Sequence, residues 1–257
     1  MKIIHDLESI LLNTPNSVDT EEVNGAIKSY LSTVKAYAEI DGAIVVLSDL
    51  VHLKSYVCVG ELGSQFGFSP DVSEFTQIDS IWEDDIYSRI HPDDLFQKYI
   101  LELKYCHFLK HCASDERSRY STYSRIRMMN TAGVYQYVNH SAVYRYDSTG
   151  EILLFGTCLY RVSSSQREVD GIGGRILDKR TGLAVEYKRY NDCSDLLSAR
   201  EKEILSHIRR GHLSKEIADV LGISLNTVNR HRQNILQKIG VNNSFEAIKI
   251  AEVMDMI

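Results

Sequence analysis

Polar and apolar positions alternate with period two over Tyr120–Met129, Val134–Asp147 and Glu151–Val162, which predicts three long strands. The connections Asn130-Thr131-Ala132-Gly133 and Asp147-Ser148-Thr149-Gly150 both end in glycine, as hairpin turns often do. Two shorter apolar runs, Ala43–Leu47 and Tyr56–Val59, predict two further strands upstream. Between the two groups lie short helical pieces around Glu61–Phe66 and Ser80–Ser88. His91-Pro92-Asp93-Asp94 then opens a long helix, with proline in its first turn and acids beside its positive end. Leu95, Tyr99, Leu101, Leu103 and Phe108 supply its apolar surface. Nearer the start, Asp19 opens a helix in which Val23, Ile27, Tyr30, Val34 and Tyr37 repeat at heptad spacing. The run is too short for a free-standing coiled coil. It is expected to pack on the domain that follows or on the same helix of a second subunit.

From Leu197 onward the apolar period changes to that of a helix. Ser198 and Glu201 have the spacing of a capping box. Leu197, Ile204, Leu205 and Ile208 form one stripe, and Gly211 stops the helix near Arg210. A second helix starts at Ser214 and carries Ile217, Ala218 and Leu221. Gly222 supplies the turn and Ser224 caps a third helix. Two helices joined by so short a glycine turn are a helix-turn-helix.

In the third helix Leu225, Val228, Ile235, Leu236 and Ile239 fall on one stripe. Asn226, Arg230, Gln233 and Gln237 lie opposite, with Asn229 on their flank and no acid among them. Those side chains suit base edges in the major groove, whereas Arg232 projects nearer the apolar stripe and is expected to snorkel. Asn243 and Glu246 then start a fourth helix, Ser244–Met254, with two apolar stripes. One is Phe245, Ile248 and Ala251; the other is Ala247, Ile250 and Met254. Two stripes exceed the need of a surface helix, so either a partner helix covers one or both pack within one subunit.

The 257 residues are enough for two domains. No stretch approaches the length of a membrane span, and the first thirty residues lack the pattern of a signal peptide. Five scattered cysteines (58, 106, 112, 158 and 193), with no CxxC pair, fit a reducing cytoplasm better than a disulfide scaffold. The net charge of −6 looks wrong for a protein that touches DNA until it is divided. Residues 194–257 hold nine Lys/Arg against eight Asp/Glu, leaving 20 against 27 in the remainder. The third helix has three cations and no anion, so the acidic surplus lies elsewhere and should limit non-specific DNA binding.

Little else suggests chemistry. His107 and His111 are one helical turn apart beside Cys106 and Cys112, but a satisfied histidine pair at a helix end explains them without a metal. Asp84, Asp85, Asp93 and Asp94 fit as helix-start acids. A glycine-rich phosphate loop, a nucleophile elbow and the acidic pair of a phosphorylation receiver are all missing. The sequence therefore predicts no enzyme, no catalytic residue, no cofactor and no metal site.

The last sixty residues closely resemble the LuxR-type DNA-binding domain of bacterial transcription regulators. The resemblance rests on L-S-A-R-E-K-E-I-L from Leu197, Gly211, S-K-E-I-A, L-G-I-S, N-T-V-N-R-H-R-Q-N-I and Q-K-I-G-V. It implies that Asn229, Arg230 and Gln233 read bases and that Lys215, Thr227 and Lys238 meet phosphates. It also implies that the fourth helix dimerises, through Ala247, Ile250 and Met254. The helix-turn-helix of a sigma factor is similar, but its preceding polymerase-binding helical region is missing here. Upstream, the strand and helix order, Ile90–Leu95 and the block R-I-R-M-M-N-T-A-G-V-Y-Q-Y-V resemble a PAS sensor domain. That resemblance implies a five-stranded antiparallel sheet with helices on one face.

The expected fold is thus α+β: an N-terminal helical segment (1–40), a PAS-like domain (41–162), a linker with a small hairpin (163–195) and an all-α four-helix DNA-binding domain (196–257). The expected function is a cytoplasmic, dimeric transcription regulator that binds double-stranded DNA in the major groove. RNA polymerase is a candidate partner, and a small molecule is a candidate ligand of the PAS-like domain. The alternative is that this domain only binds and pairs proteins.

Overall fold

The computed structural model describes residues 2–12, 20–167, 171–185, 197–239, 241, 243–253 and 256–257. They divide into two compact units, one of residues 9–185 and one of residues 1–8 with 186–257. The chain opens with α1 (Lys2–Leu11) and α2 (Thr20–Asp41). Next come β1 (Ile44–Asp49), β2 (Lys54–Val59), α3 (Leu62–Gln65), β3 (Asp71–Ile78), α4 (Asp84–Tyr87) and α5 (Pro92–Lys110). A 3-10 turn over Ser114–Arg119 leads to β4 (Tyr120–Met129), β5 (Tyr135–Tyr146), β6 (Leu153–Val162) and β7 (Arg175–Asp178).

The strands form one antiparallel sheet in the order β3-β2-β1-β6-β5-β4-β7. The five strands legible in the sequence are its centre. Two more extend it at the edges, so the sheet has seven strands rather than the five expected. β3 is mostly exposed and meets β2 through a register shift between Val57 and Val59. β7 comes from the stretch expected to be linker. It pairs with β4, and Leu177 makes one further bridge to Ala184.

Helices cover both faces of the sheet, not one. The heptad residues Val23, Ile27 and Val34 of α2, with Ala38, bury against Val45, Leu47, Cys58, Leu154 and Phe155. The seam of α2 therefore packs on its own sheet. β1 is buried at every position, since the opposite face is covered as well. That face carries Val138, His140, Ala142 and Tyr144 of β5, and the Tyr105 and Tyr144 rings stack across it at 5.0 Å. α5 starts as its sequence foretold, with Pro92 in the first turn and His91 accepting from the Asp93 amide. Asp94 does more than meet the helix dipole. Fully buried, it accepts from the Arg127 backbone at 2.7 Å and pairs with the Arg127 guanidinium, tying α5 to β4.

The second unit contains α6 (Ala199–Arg209), α7 (Ser214–Leu221), α8 (Leu225–Ile239) and α9 (Ser244–Val253). The α6 capping box forms on both sides, Ser198 accepting from the Glu201 amide and Glu201 from the Ser198 amide. Gly222 takes the left-handed conformation (φ 63°) that turns α7 into α8, and Ile223 closes the turn on the Ala218 carbonyl.

Candidate functional site

α8 is held from inside and left bare outside. Val228, Ile235 and Ile239 are buried against the neighbouring helices, whereas Leu225, expected on the same stripe, is 44% exposed at the helix start. The Ser224 hydroxyl accepts from the Thr227 amide at 3.1 Å and also meets the Thr227 hydroxyl. Asn226, Asn229, Arg230, Gln233 and Gln237 are all exposed. Their spacing of three and four residues makes one continuous face. Among the described residues, none of the five has a hydrogen bond or ion pair within the chain.

The other cations of α8 point inward. Arg232 donates to Ser214 Oγ at 2.7 Å and to Ser244 Oγ at 3.1 Å, joining the starts of α7 and α9 to the middle of α8. Its expected position off the reading face agrees with this. Lys238, expected at the DNA backbone, sits 2.7 Å from the buried Glu201 carboxylate. Desolvation pushes the Glu201 carboxyl up, but Lys238 and the Ser198 cap outweigh it and hold its pKa below the usual range. Of the other expected phosphate contacts, Lys215 is exposed on α7 and Thr227 is half-buried in the cap.

The expected pairing stripe requires a correction. Ala247 and Ile250 are fully buried, with Ala251, because α9 turns this stripe toward α6 and α8. Met254 lies outside the described residues. Of the other stripe, Ala251 is buried as well, and only its N-terminal part faces outward: Phe245 is 67% exposed and Ile248 half-buried. Lys249 Nζ lies 4.7 Å from the centre of the Phe245 ring, and Arg209 pairs with Glu252 beside it. Two apolar stripes were visible in the sequence; which one faces α6 is a tertiary fact.

A capped helix-turn-helix thus presents an acid-free Asn/Gln/Arg face whose side chains have no partners among the described residues, the side-chain chemistry that suits base edges. Residues 195–251 match the family model described as "Bacterial regulatory proteins, luxR family". The C-terminal segment is a LuxR-type domain. The transcriptional activator protein ExpR of Dickeya dadantii is 39% identical over 85 residues, which are 31% of this chain and 34% of that protein. The CsgBAC operon transcriptional regulatory protein of Escherichia coli is 36% identical over 102 residues, 36% of this chain and 47% of that protein. The chain thus spans less than half the length of these curated relatives, in alignments longer than the matched LuxR-type segment. A solved structure of the Vibrio cholerae VqmA dimer without its target DNA aligns over 88% of each chain, at 17% identity and a TM-score of 0.31. So low a score carries no argument about this chain.

Outside the LuxR-type domain, the interior between α5 and the sheet is unusually polar. Lys98 and Glu102 of α5 are buried and 2.8 Å apart. Burial works against the Lys98 ammonium, but Glu102 and Glu83 more than compensate and keep it charged. Glu83 is 1% exposed; Ser48 donates to its Oε1, and burial raises its pKa. His140 is fully buried and held neutral by desolvation. Three buried polar atoms here have no partner: Glu83 Oε2, His140 Nε2 and the Tyr160 hydroxyl. Sequence reading missed this cluster because its members are far apart in the chain and match no spacing motif.

Proposed function

We propose that the chain is a cytoplasmic transcription regulator that binds double-stranded DNA as a homodimer through its LuxR-type domain, under control of a signal received by the sheet domain. The observation that carries the DNA-binding reading is the exposed face of α8. Asn229, Arg230 and Gln233 are assigned to base edges in the major groove, and Lys215 and Thr227 to phosphates. RNA polymerase is a further proposed partner. Pairing is assigned to α9, where Phe245 and Ile248 form the apolar surface the subunit leaves open. No helix among the described residues is long and apolar enough to cross a membrane.

The sheet domain is read as a sensor, not as a pure docking platform, because of its interior. A folded core normally satisfies its buried polar groups, since each orphan costs about 1–3 kcal/mol. Three such atoms on one side of one sheet suit a bound polar ligand better than a purely mechanical core. Selection of the full chain on random DNA, followed by footprinting, tests the function. An enriched sequence with two half-sites supports it; enrichment no better than bulk DNA overturns it.

A further inference from the structure

We propose that Glu102, His140 and Cys158 form a binding site for one divalent transition-metal ion of the zinc type. The ligand atoms of these residues all lie within 4.8 Å of one another. Zinc bonds of about 2.0–2.3 Å place tetrahedral donors roughly 3.3–3.8 Å apart, so closure needs side-chain shifts of about an ångström. The proposal deepens the sensing reading above and rests on it only for the effect of the metal on DNA binding.

The sheet register builds the site. His140 of β5 faces Tyr160 of β6, and Ala142 faces Cys158, so His140 and Cys158 are diagonal neighbours on one face. α5 brings Glu102 over that face. The Nδ1 atom of His140 lies 3.3 Å from Ser124 Oγ on β4, which leaves Nε2 as the free donor. A hydrogen-bonded far nitrogen is the usual way a protein orients a metal-binding imidazole. Cys158 is partly exposed as a residue, while its sulfur side is desolvated.

Charge selects the kind of ion. One thiolate, one imidazole and one carboxylate suit zinc, cobalt or a similar metal, whereas magnesium and calcium prefer oxygen alone. On binding, the Cys158 thiol gives its proton to solvent, and thiolate and Glu102 carboxylate together balance a 2+ ion. Lys98 then loses its exclusive claim on Glu102 and finds a counter-charge in Glu83, whose Oε2 has no present partner. A water would complete a fourth position.

The test uses the full chain, stripped with chelator and titrated with zinc or cobalt chloride. One ion per chain is expected, together with a thiolate-to-cobalt charge-transfer absorption and a higher melting temperature. Zinc should also protect Cys158 of the wild-type chain from thiol reagents, a measurement that needs no variant. Cys158→Ser should abolish the cobalt absorption, His140→Gln should weaken binding by at least about tenfold, and Ser124→Ala by about tenfold. His212→Gln should change nothing, although His207 and His212 offer a rival pair of ring nitrogens 2.9 Å apart. The site is overturned if no ion is retained, if Cys158 stays unprotected, or if His212→Gln alone removes binding. Bound metal that leaves DNA affinity unchanged keeps the site and overturns sensing by it. No metal uptake, with an organic metabolite raising the melting temperature, overturns the site and keeps the sensor reading.

Discussion

Lys238 Nζ sits 2.7 Å from Glu201 Oε2, so the last turn of α8 is tied to the capping box of α6. The tie gives Lys238 a structural task where the sequence suggested only a phosphate contact. Lys238→Ala should lower the melting temperature, at a cost of about 1–2 kcal/mol because the lysine is 40% exposed. The salt slope of DNA binding should stay unchanged. A slope reduced by about one unit would show that Lys238 also holds a phosphate.

The same pair sets an acid dependence. Glu201 has a lowered carboxyl pKa in the folded chain, so it binds its proton less readily there than when unfolded. Its contribution is complete above the ordinary glutamate value of about 4.3 and fades as pH falls through the lowered folded value. In denaturant titrations below that pH, Glu201→Gln should lose stability with falling pH less steeply than the wild type. Parallel curves would show that Glu201 is not titrating in this window.

Arg230 and Arg232 separate reading from holding. Arg230→Ala should relax preference at one base pair per half-site by about 1–3 kcal/mol with no change in melting temperature. Arg232→Ala should do the reverse, since it removes bonds to Ser214 and Ser244 and leaves the operator preference alone. Binding to operator and scrambled DNA, beside thermal melts of both variants, decides the matter. If Arg230→Ala weakens both DNAs equally, α8 does not read bases through this residue.

The two stripes of α9 make opposite forecasts. Ile250→Glu puts a charge at a fully buried position and should unfold the LuxR-type domain, losing several kcal/mol. Phe245→Asp changes a residue that is 67% exposed, so helicity should persist while pairing on operator DNA weakens. Sedimentation with operator DNA and circular dichroism distinguish them. A Phe245→Asp chain that still pairs normally removes this face from the dimer contact.

What the sequence revealed was whatever is local. The Ser198–Glu201 box, the Gly222 turn and the outward spacing of Asn229, Arg230 and Gln233 depend on neighbours within a few residues. Of the five central strands, β4, β5 and β6 announced themselves by period two, and β1 and β2 by short apolar runs. β3 did not, because an exposed edge strand has little reason to alternate, and its apolar Val72, Phe75 and Ile78 fall three apart. β7 falls in the small hairpin expected within the linker, and Leu177 does bridge to Ala184, but its main partner is β4, more than fifty residues upstream, which no local pattern encodes. Glu102, His140 and Cys158 meet only through sheet register and the docking of α5, and no local spacing encodes either. The choice between the α9 stripes was likewise open until α6 and α8 took one of them.

The side chains assigned to base edges make no hydrogen bond or ion pair among the described residues, and those that brace α8 sit on its other side. Changes at Asn229, Arg230 or Gln233 are therefore expected to alter what the surface recognises and to leave folding nearly untouched. Such an arrangement lets a lineage drift toward new operators one substitution at a time, without first acquiring a compensating change to stay folded.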